Sequence, residues 1–273
     1  MSQEQQKKLL QGNEAMARGL VESGCVVAAS YPGTPASEIL TSVQHWQQLE
    51  GVDMHVEWAV NEKVALEIAY TASQTGLRAM TAMKQVGLNV ASDPLMSAAY
   101  LGVVGGFVVV SADDPGPQSS QTEQDSRLMA MVAKIPVLDP SSPEEARQLA
   151  GTAFELSERF SVPVMLRPTT RVCHACQDIP LLPVQRLERQ AAFEKNPSRW
   201  AATPKFRYRL HLELNQKLAD IAAYEPTAPR LINPQADSRK AIVASGHAAS
   251  YVKEVMADLG LWDKVAFHQV IQP

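Results

Sequence analysis

The chain has 273 residues, a formal net charge of -4 and an apolar fraction of 45%. That length holds one large domain or up to two ordinary ones with a real core, and the mixed, mildly acidic charge argues against a nucleic-acid footprint. There is no apolar run long enough to span a membrane, the polar start Met1-Ser2-Gln3-Glu4-Gln5-Gln6-Lys7-Lys8 lacks a signal-peptide core, and the cysteines Cys25, Cys173 and Cys176 do not make a disulfide scaffold, so a cytoplasmic protein is expected.

Residues 13–23 are predicted helical, with Met16, Ala17, Leu20 and Val21 on one face and Gly24 closing the helix. Residues 25–29 read as an apolar strand. It runs into Ser30-Tyr31-Pro32-Gly33-Thr34-Pro35, a tight turn before a helix start at Ala36-Ser37-Glu38-Ile39. Pro35 is expected near the first helical position, where its missing N–H costs nothing. A short strand at 53–56 precedes a helix at 60–74, whose apolar side carries Val60, Val64, Ala65, Ile68, Ala69 and Ala72. A strand at 78–82 and a small-residue helix opened by Asp93-Pro94 follow. Residues 105–111, with Phe107 and three valines in a row, read as a fully buried strand. A helix at 123–132, a short strand at 136–138, a helix at 144–159 and a strand at 162–166 complete the series. Ser142-Pro143-Glu144-Glu145 combines a serine cap, a first-turn proline and first-turn acids. The fold expected is α/β: a parallel sheet with helices on both faces over residues 1–175. Residues 176–239 are proline-rich with one helix near 210–223 and read as a connector. Residues 240–273 read as the start of a second, small α/β unit, which cannot bury its own faces without further chain or a partner.

Three polar loops follow apolar strands, at 30–36, 57–62 and 111–116, and together they suggest one crevice. Glu62 is the first catalytic candidate. A carboxyl at the start of an amphipathic helix can be partly buried, face a crevice and share a proton with a ring nitrogen; the plain alternative is a helix N-terminal acid favoured by the dipole. Glu57 and Glu67 are rivals in the same stretch, Glu67 being better placed for a solvated or ion-paired role. Lys84, Gln85 and Asn89 follow the 78–82 strand and are candidates to meet an anionic substrate or cofactor, or are ordinary surface residues. Asp113 and Asp114 invite Mg²⁺, although Pro115-Gly116 makes a simple turn an equal reading. Ser119, Ser120, Gln121 and Gln124 could line a pocket. Cys173-His174-Ala175-Cys176 is one close pair, short of a four-ligand zinc site or an iron–sulfur cluster. Glycine-rich phosphate fingerprints are absent, and with them the main support for a dinucleotide-type oxidoreductase.

Several of these segments together resemble a known family. They are Gly12-Asn13-Glu14-Ala15, Tyr31-Pro32-Gly33-Thr34-Pro35-Ala36-Ser37-Glu38-Ile39, Glu57-Trp58-Ala59-Val60-Asn61-Glu62-Lys63-Val64-Ala65, Met83-Lys84-Gln85-Val86-Gly87-Leu88-Asn89, Ser111-Ala112-Asp113-Asp114-Pro115-Gly116 and Gln118 to Arg127. Over roughly residues 10–172 the chain resembles the N-terminal part of the alpha subunit of indolepyruvate ferredoxin oxidoreductase, in the thiamine diphosphate (TPP)-dependent 2-oxoacid:acceptor oxidoreductase family. The resemblance implies a pyrimidine-binding domain in which Glu62 matches the glutamate that bonds to the pyrimidine N1′. Protonation there favours the 4′-imino tautomer of the cofactor, which activates the thiazolium carbon. It implies cofactor contacts at Gly33 and Thr34, and a substrate-carboxylate contact at Thr34. It also implies oxidative decarboxylation of an aryl 2-oxoacid (indolepyruvate, phenylpyruvate or arylglyoxylate type) to the acyl-CoA.

The chain departs from the family pattern in two places. The Gly-Asp-Gly motif that carries Mg²⁺ and the diphosphate is absent, and so are the repeated CxxC clusters. The chain therefore reads as half of a TPP site, either a short subunit completed by another or a fragment of a longer one. Mg²⁺, 4Fe-4S clusters and coenzyme A would be used in or through partner subunits, one with a diphosphate-binding domain and one for electron transfer. A non-catalytic structural or regulatory subunit of such a complex is the alternative.

Overall fold

The computed structural model describes residues 7–273; Met1 to Gln6 of the polar start lie outside the described residues. The elements run β1 (Lys7–Gln11), α1 (Gly12–Glu22), β2 (Val27–Ser30), α2 (Ser37–Glu50), β3 (His55–Trp58), α3 (Glu62–Gln74), β4 (Ala79–Lys84), α4 (Gln85–Val90), α5 (Ser92–Leu101), β5 (Phe107–Ala112), α6 (Ser126–Ala133), β6 (Val137–Leu138), α7 (Pro143–Phe160), β7 (Val164–Leu166) and α8 (Thr170–His174). After them come β8 (Cys176–Pro180), α9 (Pro197–Trp200), α10 (Pro204–Ala222), β9 (Arg230–Leu231), β10 (Ala241–Ser245), α11 (Gly246–Asp258) and β11 (Ala266–Val270).

Six strands make one parallel sheet in the order β3-β2-β4-β5-β7-β6. The chain leaves β2 for β3 on one side, then returns past β2 to β4 on the other. Right-handed crossovers moving in opposite directions put their helices on opposite faces. Accordingly α1 packs against both α2 and α7 on one face, and α3 against α5 on the other. The centre of the sheet is dry: every residue of β5 is buried, as its valine run requires of a strand covered on both sides. The helix α7 starts as its sequence indicates. The Ser142 side chain accepts from the Glu145 N–H at 3.2 Å, Pro143 occupies the first turn, and Ser161 ends the helix in the left-handed region.

Element boundaries differ from the sequence reading where side chains take unexpected partners. Pro35 lies in the turn before α2 and not at its first position; Ala36 caps the helix, which starts at Ser37. α6 begins at Ser126, because Asp125 accepts from the Arg127 N–H and acts as the cap. The buried side of α3 carries Leu66 and Tyr70 with Ala65 and Ala69, whereas Val60 precedes the helix and is 80% exposed.

Outside the sheet, β1 and β8 pair antiparallel, and β9, β10 and β11 form a second small sheet in the order β10-β11-β9. That sheet and α11 enclose their own cluster of Ala249, Met256 and Phe267. The segment after β8 is fastened to α1 by one buried carboxylate. Glu22 pairs with Arg18 at 2.7 Å and Arg147 at 2.6 Å, and accepts from the Leu182 N–H at 2.7 Å. A buried acid costs several kcal/mol unless paired in this way.

Candidate cofactor site

The direction of the chain reverses between β2 and β4, and the C-terminal ends of strands at such a switch point are the place where open α/β sheets bind ligands. Ser30 and Ala82 are paired there, and the Ser30 hydroxyl donates to the Ala82 carbonyl at 2.6 Å. The turn after β2 supplies Gly33 and Thr34, β4 ends at Lys84, and α4 begins at Gln85.

The turn is held from below. Asn13, fully buried on α1, donates from its side-chain amide to the Pro35 carbonyl at 2.7 Å and to Glu38 at 3.0 Å. The Gly33 N–H donates to the Ser37 hydroxyl at 2.8 Å, and the Ala36 N–H to the Gly33 carbonyl at 2.7 Å. The Thr34–Pro35 peptide is cis. These bonds leave Thr34 exposed on the outer side of the turn. Gly33 faces the Lys84 side chain, and a Cβ there would stand 2.9 Å from Lys84 Cδ.

Glu62 opens α3. Asn61 caps that helix by accepting the Val64 N–H at 2.9 Å, which releases Glu62 from any capping duty. Its side chain is 9% exposed. It lies against Gly87 on α4, where a Cβ would stand 2.6 Å from Glu62 Cγ and 2.8 Å from Cδ. Among the described residues nothing hydrogen-bonds or ion-pairs with the carboxylate, although carboxyls nearby all have partners. Glu57 meets His55 at 2.8 Å, Glu67 lies 3.9 Å from Lys63, and Asp93 meets Lys63 at 2.9 Å. A largely buried acid without a protein donor, whose oxygens are still reached by solvent, is open to a ligand that supplies one.

The loop after β5 lies across the crevice. Ser119 accepts from Lys84 Nζ at its carbonyl (3.3 Å), and its hydroxyl donates to the Thr34 carbonyl at 3.4 Å. The Thr122 carbonyl accepts from Gln85 Nε2 at 3.3 Å, while Gln85 Oε1 is buried with no partner. The structure thus gathers Gly33, Thr34, Lys84 and Gln85 under one loop, with Glu62 at the head of the next crossover helix. Asn89 stands exposed at the outer end of α4 and contacts none of them through its side chain.

Asp113 and Asp114 serve this loop. Asp113 is buried and accepts from the Ser126 N–H, the Ser126 hydroxyl and Arg167 Nε at 2.7 Å. Asp114 accepts from the N–H groups of Gln118 and Ser119 and from the hydroxyls of Ser120 and Thr170, at 2.9 to 3.0 Å. Burial works to raise the Asp114 pKa, but these four donors outweigh it and hold the carboxyl below the usual aspartate range. With their oxygens engaged, neither aspartate offers a Mg²⁺ site, and no group of three or more His, Cys, Asp or Glu side chains is placed to hold a metal among the described residues. Burial pushes the Cys25 thiol up to about 12 and the Cys173 thiol higher still, so both stay protonated; Cys176 is exposed on β8.

Three features of the site went unread in the sequence. Asn13 and Gly87 carry no local signal, and their roles depend on contacts between distant elements. The third is an apolar rim: Trp58 (40% exposed), Val60 and Val90 (49%) stand in the open around Glu62 and Asn89.

This arrangement, an open crevice at a parallel-sheet switch point with one unpartnered acid, is that of a ligand-binding α/β domain. Residues 18–246 match the thiamine diphosphate-binding domain of the pyruvate flavodoxin/ferredoxin oxidoreductases, and the chain belongs to that family. It is 44% identical to the indolepyruvate oxidoreductase subunit IorA of Methanothermobacter thermautotrophicus, over 95% of this chain and 42% of that protein, and 44% identical to the IorA of Thermococcus kodakarensis, over 94% of this chain and 40% of that protein. The chain therefore spans about two fifths of the length of these curated relatives. Its fold is shared with a 2-oxoglutarate:ferredoxin oxidoreductase from Magnetococcus marinus (TM-score 0.75, 19% identity, 97% of this chain and 54% of that one), a structure with 2-oxoglutarate, coenzyme A and succinyl-CoA bound.

Proposed function

We propose that this chain is the pyrimidine-binding half of a TPP-dependent oxidoreductase that oxidatively decarboxylates an aryl 2-oxoacid of the indolepyruvate, phenylpyruvate or arylglyoxylate type to its acyl-CoA. The reading is carried by the Glu62 carboxylate: nearly buried, without a protein partner, and lodged where a side chain at position 87 would otherwise stand. The family membership and the names of the 44%-identical relatives support it.

The residues present fit one end of the cofactor. An acid that lacks a donor suits a protonatable ring nitrogen, and Glu62 would hold and share that proton at the pyrimidine N1′. Bound TPP supplies a carbon nucleophile for the 2-oxo carbon and an electron sink for decarboxylation. Gly33 brings the backbone of the first turn close to the ligand. Thr34, Lys84, Gln85 and Asn89 are the residues of this chain assigned to the substrate, with the exposed Thr34 hydroxyl and the Lys84 ammonium as donors to its carboxylate. The residues do not fit the other end of the cofactor, because Asp113 and Asp114 are consumed internally. Mg²⁺ and the diphosphate are accordingly assigned to a partner domain or subunit, as are the 4Fe-4S clusters that take the electrons, with coenzyme A taking the acyl group.

In this reading residues 1–175 are the thiamine domain, 176–239 a connector and 240–273 a second small α/β unit. The complex works in the cytoplasm; among the described residues no helix is long and apolar enough to cross a membrane.

The test is Glu62→Gln in the assembled complex. Loss of a positioned proton donor costs about 10²- to 10⁴-fold in rate. Arylpyruvate-dependent reduction of a viologen acceptor should fall by that much, with subunit assembly unchanged on size-exclusion chromatography. Wild-type turnover in that variant would refute the assignment. Assembly without turnover in both wild type and variant would favour a non-catalytic subunit.

A further inference from the structure

We infer that Gly87 is a positioning residue, whose missing side chain makes the space in which the Glu62 carboxylate stands. The inference rests on the role proposed for Glu62 and adds what holds it in place. Gly87 sits inside α4 with a backbone outside the left-handed region, so its conformation does not require glycine. Within a helix glycine is disfavoured relative to alanine. What glycine supplies here is room. An ideal Cβ would approach Glu62 Cγ to 2.6 Å and Cδ to 2.8 Å, closer than real Cβ contacts come.

The strain of adding a methyl group would fall on one side. Leu88 beside Gly87 and Leu66 one turn into α3 are buried in the main core, Ala65 next to Leu66 is fully buried too, and these side chains hold both backbones. The Glu62 side chain ends in a carboxylate with no partner to anchor it. The cheapest relief is therefore a rotation of Glu62 out of its place, with the fold kept. An acid shifted by about 1 Å from its working position can cost about 10²-fold in rate.

The experiment uses Gly87→Ala, Glu62→Asp, their combination and Glu62→Gln. In the assembled complex Gly87→Ala should lower turnover about 10²-fold, with the thermal midpoint of the chain unchanged or raised. Glu62→Asp retracts the carboxylate by one methylene. It should slow the wild type yet speed the Gly87→Ala enzyme by about 10-fold, a reversal of sign that a purely structural role for Gly87 would not produce. A second readout needs no turnover. In the isolated chain with ¹³C-labelled glutamate, the Glu62 carboxyl signal, assigned by its loss in Glu62→Gln, should move in Gly87→Ala. An unmoved signal overturns the inference, and so does full turnover of Gly87→Ala while Glu62→Gln is inactive. Should Glu62→Gln turn over normally, the cofactor role of Glu62 fails, and the carboxyl signal alone decides whether Gly87 places it.

Discussion

Asp114 accepts hydrogen bonds from two backbone N–H groups and two hydroxyls, and the turn from Gln118 to Ser120 takes its shape around that carboxylate. The same turn carries Ser119, which meets Thr34 and Lys84, so the anchor is coupled to the crevice. A bond to a charged acceptor contributes about 1.5–3 kcal/mol. In Asp114→Asn the neutral amide oxygen replaces a carboxylate that served all four donors. Hydrogen exchange at the Ser119 and Gln118 amides should rise by about 10- to 100-fold, with the global unfolding midpoint little changed; unaltered exchange would show the loop to be held by other means. The pH dependence follows from the lowered pKa of this carboxyl. Its stabilising effect is complete above the ordinary value of 3.8 and is lost only as pH falls through the lower folded-state value. The loop should stay ordered at neutral and mildly acidic pH and loosen only in strong acid. That protein donors take up the oxygens of these two adjacent acids could not be read locally: Asp-Asp-Pro-Gly suits a Mg²⁺ site or a turn, and the donors Ser126, Arg167 and Thr170 come from elsewhere in the chain.

The elements that could be read from the sequence are those whose signals are local. β5 is a contiguous apolar run, and α7 announces its start with Ser142, Pro143 and two glutamates. β1 and β8 have no local signal, because their pairing brings together residues from opposite ends of the main unit. Leu10 and Ile179 are their only buried side chains, and Pro180 argues against a strand. The connector was likewise legible as proline-rich but not in its attachment. Glu158 on α7 joins it to the sheet, pairing with Arg78 at 2.8 Å and, at its other oxygen, with Arg189 of the connector. Burial works to raise the Glu158 pKa, but the two guanidiniums dominate and bring it from 4.5 to about 2. A displacement of that size corresponds to roughly 3 kcal/mol of pH-linked stability, less some screening where the pair meets water. The folded-state value is depressed, so the contribution is present above about pH 4.5 and disappears towards about pH 2. Urea unfolding should therefore find Glu158→Gln less stable than wild type by about 2 kcal/mol at pH 6, after that discount, with the two converging near pH 2. A difference that stays constant with pH would mean that packing, not charge, fastens the connector.

Under the function proposed above, the molecule as a unit would supply one of the two grips that a thiamine cofactor needs. The pyrimidine side has Glu62, Gly33 and the loop that closes over Lys84 and Gln85. The diphosphate side would need a Mg²⁺ site, and among the described residues none is assembled. Several large apolar side chains near this region of the sequence are exposed. Trp58, Val60 and Val90 stand exposed around Glu62, and on α6 the large residues Leu128, Met131 and Val132 point outward while Ala130 and Ala133 are buried, the reverse of an ordinary surface helix. The three polar loops that follow three of the sheet strands were legible in the sequence. Which side chains meet at the strand ends depends on strand order, and no local pattern encodes that. A quantitative expectation follows for the purified 273-residue chain. A few contacts to one ring, set against the lost freedom of a flexible cofactor, leave less than about 4 kcal/mol of binding free energy, a Kd of about 1 mM or weaker. Isothermal titration with TPP should show no saturable heat at micromolar concentrations, with or without Mg²⁺. Addition of the subunit carrying the diphosphate half should bring tight, Mg²⁺-dependent binding that Glu62→Gln weakens. Micromolar, Mg²⁺-dependent binding by the chain alone would mean that a diphosphate grip exists on this chain after all, and the shared-site picture would have to be abandoned.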